Sequence, residues 1–262
     1  MEDVGDAYWR LPAIARTTAT VTFLLSVGVH LGFISGYYFV HSPEFLFRLL
    51  PQIWRPITSF LITTPKLGML FDTYFIYQYM SQLEQGNPRF PRKEDFIWYL
   101  MFVGTTILGI NYVAGLPFST FCKALILAMC YTVTQDQRGA KANFYFITIP
   151  AQLTPVCMIL VNLLFPGGVY MMLLELEGLV AAHLYDFLSR IWPEFGGGRN
   201  LIPTPAFLSR LVQTPRVLER GFGTAIRPNA PSTGRTTGAS TGASTGPLPD
   251  SWRTRGQGRR LG

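Results

Sequence analysis

Charge is scarce in this chain of 262 residues: 14% are Asp, Glu, Lys or Arg, where a soluble domain carries about 25%. The shortage is confined to one part. Residues 1–189 hold 11 Lys/Arg against 12 Asp/Glu, and residues 190–262 hold 11 Arg against Glu194, Glu219 and Asp250. The net charge of +7 therefore belongs to the tail. Cysteine is nearly absent too. Cys122, Cys130 and Cys157 lie in apolar runs, which excludes a disulfide framework or a metal spacing and leaves three small buried hydrophobes. Neither metal nor cofactor is expected, and nothing points to nucleic acid. The N-terminus lacks a short apolar core followed by a small-residue cleavage site, so the first apolar run reads as a retained span. No internal repeat is visible, which argues against a transporter built from inverted halves.

What the chain does have is long uncharged apolar runs, and a membrane-spanning helix needs about 20 such residues. There are six candidates: 17–39, 67–82, 96–112, 118–134, 144–165 and 169–188. The first ends in Tyr37, Tyr38 and Phe39, which suits a headgroup-level aromatic belt. Asp72 alone interrupts the second, and Lys123 lies near the start of the fourth. Pro150 and Pro155 predict kinks in the fifth. Residues 41–64, aromatic and broken by prolines, read as a loop on the membrane surface. Arg10 and Arg16, then Arg89, Arg92 and Lys93, then Arg138 and Lys141, then the tail fall on one side of this arrangement; the first connection, with Arg48 and Arg55, breaks it. The positive-inside rule places both termini in the cytosol, which requires an even number of spans.

The reading is an all-α membrane protein, a six-transmembrane helical bundle with a disordered C-terminal tail. The membrane domain covers 1–192. A flexible cytosolic linker spans 193–250, opened by Gly196-Gly197-Gly198 and including a duplicated Gly-Ala-Ser-Thr between Gly238 and Thr245. Short amphipathic turns are expected within 201–218. Residues 251–262 are basic again.

Gln52-Ile53-Trp54-Arg55-Pro56-Ile57-Thr58-Ser59-Phe60 resembles the Trp-Arg signature of the Derlin family, rhomboid-fold pseudoproteases of the endoplasmic reticulum. Tyr74-Phe75-Ile76-Tyr77-Gln78-Tyr79, then Leu83-Glu84-x-Gly86, resembles that family's second span and its exit, and Asn143-Phe144 and His183-Leu184-Tyr185 match as well. The resemblance covers 11–192 and implies a rhomboid-like fold. At the C-terminus, Gly256-Gln257-Gly258-Arg259-Arg260-Leu261-Gly262 resembles the box with which Derlins dock a cytosolic AAA+ ATPase segregase. Where the family has an aromatic beside the first Gly, this chain has Arg255, with Trp252 nearby. The alternative for this tail is a solvated basic segment that touches anionic lipid.

Trp54 and Arg55 are expected to hold a ring and a cation at headgroup level, either shaping the bilayer or serving as a plain interfacial anchor. Gly178 and Ala182 stand four apart, a spacing that lets helix backbones approach. Lys123, Glu175, Glu177, His183 and Asp186 are expected to line a polar cavity open to the lumen, with Lys123 partnering Glu175 or Glu177; a buried ion pair that fixes helix register is the alternative. Glu175, Gly178, Ala182 and Asp186 recur on one helical face, which is expected to point inward. His183 stands where the resemblance puts a rhomboid protease's base, yet no Gly-x-Ser-Gly occurs near Ser119, so no proteolysis and no catalytic residue are expected. The spans at 96–112 and 118–134 offer about 25 Å of helix for about 30 Å of hydrocarbon, which predicts local thinning of the bilayer.

The function this implies is movement of misfolded proteins out of the endoplasmic reticulum for degradation. A membrane ubiquitin ligase complex, the ATPase segregase, the client polypeptides and the lipid bilayer are the partners. An active intramembrane protease and a small-solute transporter are the rivals. Deleting residues 252–262 is expected to abolish co-purification of the ATPase while the membrane domain stays folded; an unchanged pull-down would refute docking by Trp252, Gly256, Gly258, Arg260, Leu261 and Gly262.

Overall fold

The structure, a computed structural model, describes residues 4–42, 44, 52–85, 87–137, 139–144, 147–164, 167–198 and 200–212. Of the stretch read as a flexible linker from 193 on, residues 193–198 and 200–212 are described and include two short helices. Residues 213–262, with the docking residues Trp252, Gly256, Gly258, Arg260, Leu261 and Gly262, lie outside the described residues, as do Arg48, Gly86 and Arg138.

The described chain is helical with one small hairpin. In order it forms α1 (Val4–Arg10), α2 (Ala13–His30), α3 (Arg55–Thr58), α4 (Leu67–Glu84), α5 (Lys93–Ala114) and α6 (Cys122–Asp136). The hairpin β1 (Lys141–Phe144) and β2 (Ile147–Pro150) comes next, then α7 (Thr154–Leu163), α8 (Gly168–Asp186), α9 (Trp192–Gly196) and α10 (Ala206–Leu211). Helix α6 is the hub. Of its 15 residues, 11 are buried, because α4, α5, α7 and α8 all pack on it. Helix α2 lies against α4.

The segments expected at 67–82, 96–112, 118–134 and 169–188 are helices of similar extent. Four expectations change. The first apolar run is helical only to His30. Gly32 adopts φ +80°, a left-handed position that ends a helix and that glycine enters without a Cβ clash. The chain reverses there, with Ile34 N donating to Gly28 O at 3.0 Å.

The fifth run does not kink at its prolines; it is broken there. β-Branched Ile147, Thr148 and Ile149 pair as a strand against 141–144, as their stiff χ1 favours. Pro155 sits within the first turn of α7, where its missing N–H is harmless. What remains is a helix of 10 residues, about 15 Å long, after one 3₁₀ turn at Ala151–Leu153.

The connection 41–64 re-enters the bundle rather than lying wholly on its surface. Arg55, Ser59, Phe60, Ile62 and Thr63 are buried. His41 N donates to Ser119 O at 2.9 Å and Phe121 N to Ser59 O at 3.0 Å, stitching this loop to the start of α6. Helix α5, expected to be short, has 22 residues, about 33 Å. The short helices are α6 and α7.

The flanks of the bundle carry many large exposed hydrophobics, and several charged residues are buried inside among the apolar core. Val21, Leu24, Leu70, Met101, Val156, Leu160 and Val180 are among the large exposed hydrophobics, while Asp72, Glu94, Glu175, Glu177 and Asp186 are buried. That arrangement suits hydrocarbon as surroundings. On length and composition alone, α5 is the one helix among the described residues that passes as long and apolar enough to cross a membrane.

Two contacts fix how the helices sit. Glu84, at the end of α4, accepts from Ile14 N (3.1 Å) and Ala15 N (2.9 Å) in the first turn of α2. An acidic side chain from another helix thus satisfies orphan donors and complements the dipole of α2, which begins after Pro12 with no side-chain cap of its own. In the middle of α8, Gly178 lies against α6 so closely that a Cβ would stand 1.9 Å from Ala124 O. Only hydrogen fits. Gly178→Ala is expected to lower stability by about 1–3 kcal/mol, read by thermal unfolding in detergent, whereas Gly109→Ala, with open space around it, is expected to be neutral or mildly stabilising.

Candidate functional site

Polar residues from four elements meet at one end of the bundle. Asp72 stands in the second turn of α4, Lys123 opens α6, Asn162 nearly ends α7, and Glu175 lies two turns into α8. Asp72 Oδ2 accepts from Thr64 N (3.0 Å) and Thr64 Oγ1 (2.6 Å), and its Oδ1 stands 3.4 Å from Lys123 Nζ. Lys123 Nζ also donates to Asn162 Oδ1 at 3.3 Å, and Asn162 Nδ2 donates to Glu175 Oε1. The ion pair of Lys123 is therefore with Asp72, and Asn162 bridges it to Glu175. Asp72 and Glu175 are 3% and 1% exposed. The lumen-open cavity expected around Lys123 and Glu175 is, in the structure, a packed network. The reason is a shortage of cations: one ammonium serves two carboxylates, and burial of such charge is tolerable only with several hydrogen bonds.

Glu177 is placed apart from that network. It is buried, and among the described residues neither carboxylate oxygen has a hydrogen-bond partner. Gly178 and Ala182 are buried on the face they share with Glu175 and Asp186.

Asp186 belongs to a second cluster at the opposite end. Arg89 Nη1 meets Asp186 Oδ1 at 2.9 Å while its Nε meets Asp136 Oδ2 at 2.7 Å, and Arg190 reaches Asp186 Oδ2 at 2.9 Å. One guanidinium thus ties the connection after α4 to the ends of α6 and α8, using the fork that suits it to two carboxylates. His183 is near this end as well. It is exposed, and its Nδ1 meets the Tyr131 hydroxyl at 2.8 Å, so it is on the outer face and not in a cavity. Ser119 precedes α6, whereas His183 lies 15 residues into α8, about 22 Å along the axis. Serine and imidazole fall at opposite ends.

The Trp54–Arg55 pair divides. Trp54 is half exposed beside exposed Ile53 and Ile57, as an interfacial ring should be. Arg55 is 1% exposed, so its cation is turned into the protein and not presented on the surface. Its guanidinium donates to Tyr37 O (2.5 Å), Val40 O (2.7 Å) and Gln52 Oε1, and lies 4.6 Å from the Tyr37 ring centroid. Five fixed donors let one arginine satisfy carbonyls that a glycine-containing turn leaves open. Burial, and then the Arg55 charge, push the His41 pKa below its ordinary value, so that ring stays neutral beside the cation.

A cleft of about 280 Å³ opens where α4, the end of α6, β1 and the start of α7 meet. Its walls are rich in uncharged polar groups: Gln78, Gln82, Thr134, Gln137, Asn143 and Thr154. The sequence hid it because the hairpin residues read as part of a span. Asn162 and the Glu84 cap were hidden too. The signal for Asp72 was present, since an isolated charge in an apolar run needs a partner.

These features define a class: a mostly helical membrane bundle with apolar flanks, paired charges at each end and a polar cleft in one side. Residues 11–206 match the model of the Der1-like family. The chain belongs to that family. It is 34% identical over 231 residues to proteins named Derlin-1 from Bos taurus and Homo sapiens, covering 85% of this chain and 88% of each relative. It is 27% identical to Derlin-1 of Arabidopsis thaliana over 83% of this chain and 80% of that protein.

Breaking the buried pair on one side leaves an uncompensated charge. Lys123→Met is expected to destabilise the purified protein by about 3 kcal/mol, and adding Asp72→Asn is expected to restore part of that loss. A double variant no more stable than the single would refute the pairing.

Proposed function

We propose that this protein is a non-catalytic retrotranslocation factor of endoplasmic-reticulum-associated degradation, moving misfolded chains from the lumen or membrane to the cytosol. The observation that carries this reading is the cleft lined by Gln78, Gln82, Gln137 and Asn143 beside α7, the shortest helix formed by any of the long apolar runs. Amide side chains facing hydrocarbon are costly unless water or a polar chain meets them. An extended polypeptide offers the donors and acceptors that amides match. Outward-facing Val156, Leu160 and Leu163 of α7 give lipid only about 15 Å of apolar helix to match, and a short match is made by thinning the bilayer. Fewer peptide groups then cross hydrocarbon at once.

The six apolar segments are read as six spans with both termini cytosolic, in the membrane of the endoplasmic reticulum. Exposed Trp54, held from below by buried Arg55, anchors the lumenal side. A membrane ubiquitin ligase complex completes the path, and the C-terminal box recruits the AAA+ ATPase that pulls. The relatives' shared name supports this setting. Proteolysis is disfavoured because His183 is bonded to Tyr131 at the end away from Ser119, leaving that serine out of its reach.

The test is photo-crosslinking from Gln78, Gln82 and Asn143 to a misfolded client arrested in transit. Client adducts at these positions, and none from outward-facing Val21, are expected. Equal labelling at both sets would sink the proposal, and so would client cleavage lost on His183→Ala.

A further inference from the structure

We propose that Thr204 is a phosphorylation site, and that a phosphate there releases the strap formed by residues 200–211 from the bundle. The chain beyond α9 turns back on itself. Asn200 Oδ1 accepts from Ile202 N at 2.9 Å, Leu201 N reaches Leu188 O at 3.5 Å, and Leu208 is buried. The firmest contact is the Thr204 hydroxyl, which donates to Asp95 Oδ1 at 2.6 Å. Strap, connection and the wide turn Phe187–Ile191 enclose a cavity of about 570 Å³ lined by Arg89, Arg92, Asp95, Asp186, Arg190 and Thr204.

The charges around that cavity decide what a phosphate does. Arg89 pairs with Asp136 and Asp186, Arg92 with Glu94 and Asp95, and Arg190 with Asp186. The cavity wall itself carries these three guanidiniums with Asp95 and Asp186, while Asp136 and Glu94 pair with them from outside the lining. Buried Arg89 Nη2 has no hydrogen-bond partner among the described residues, but each of the three guanidiniums already pairs with a carboxylate, which offsets their attraction for a group carrying about −1.5 to −2 charge. Esterification also removes the hydroxyl proton that Asp95 accepts and sets a dianion against that carboxylate. The docked strap loses its best bond and gains a repulsion.

The chain chemistry favours the acceptor. Thr204 precedes Pro205, which holds φ −65° and ψ 140° at the start of α10, and a residue before proline is biased to extended backbone. A proline-directed kinase reads an extended Thr-Pro. Thr204 is half-buried, so the kinase takes the strap in its locally opened state, and the product does not close again. In the step, Thr204 Oγ1 forms a bond to the γ-phosphorus of ATP, the bond from that phosphorus to the bridging oxygen breaks, ADP leaves, and the hydroxyl proton passes to the kinase's base. The inference rests on the reading that this end of the bundle faces the cytosol, where ATP and kinases are found.

Full-length protein in lipid nanodiscs, treated with a proline-directed kinase and ATP, tests it. Tandem mass spectrometry is expected to place phosphate on Thr204, absent in Thr204→Ala, and amides of 201–211 are expected to exchange roughly tenfold faster once modified. Thr204→Glu is expected to open the strap in the same direction, and Thr204→Val less. Phosphate on Thr214, which also precedes a proline, without any on Thr204 would overturn the site. Slower exchange after modification would overturn the direction, since the arginines would then be capturing the phosphate. Protease access to the strap in intact microsomes reads the membrane orientation separately, so a failure of that reading is told apart from a failure of the switch.

Discussion

A bundle whose flanks are apolar has to satisfy every buried charge from within, and that requirement arranges this fold. Charged residues at the helix ends and in the connections find partners on other elements. Glu84 reaches the start of α2, Arg89 the ends of α6 and α8, Asp72 the start of α6, and Arg55 the carbonyls of the loop before it. Van der Waals packing between apolar helices in lipid has little directional preference. The ionic contacts at the two ends supply that preference, and Gly178 sets the distance of closest approach between them.

The same requirement explains why the polar side chains separate into two kinds. Charged residues pair and are sealed, as Asp72 and Glu175 are. Amides and hydroxyls gather with Lys141 at the cleft beside α4, where Asn143 and Lys141 are exposed, Thr134 and Thr154 are buried, and Gln137 donates to Gln82. Glu177 is the exception, a buried carboxylate with both oxygens unbonded among the described residues.

Much of this was legible from hydrophobic runs. Segments at 67–82, 96–112, 118–134 and 169–188 became α4, α5, α6 and α8 because mainly apolar stretches of that length have few alternatives to a helix. The breaks were harder to read. Gly32 ended α2 although apolar residues continued to Phe39, and Pro150 with Pro155 stopped a helix that hydropathy alone would extend. Side-chain roles were least legible. Arg55 looked like a surface cation because tryptophan and arginine together usually mark an interface, and its burial depends on carbonyls at Tyr37 and Val40 that are distant in sequence. Lys123 was paired by sign and depth with Glu175 or Glu177, yet Asp72, arriving from another helix, stands within ion-pair distance.

The wide turn at Phe187–Ile191 has its own effect on the chain downstream. A π-turn accommodates one residue more than an α-turn, which rotates every later residue by about 100° around the axis. Asp186 and Arg190 can thus clasp across it while Phe187, Trp192 and Phe195 remain on the outside. It acts as a phase-shifter: the helix continues with a different side turned outward from the one it would otherwise present, and its rings emerge on the exposed surface.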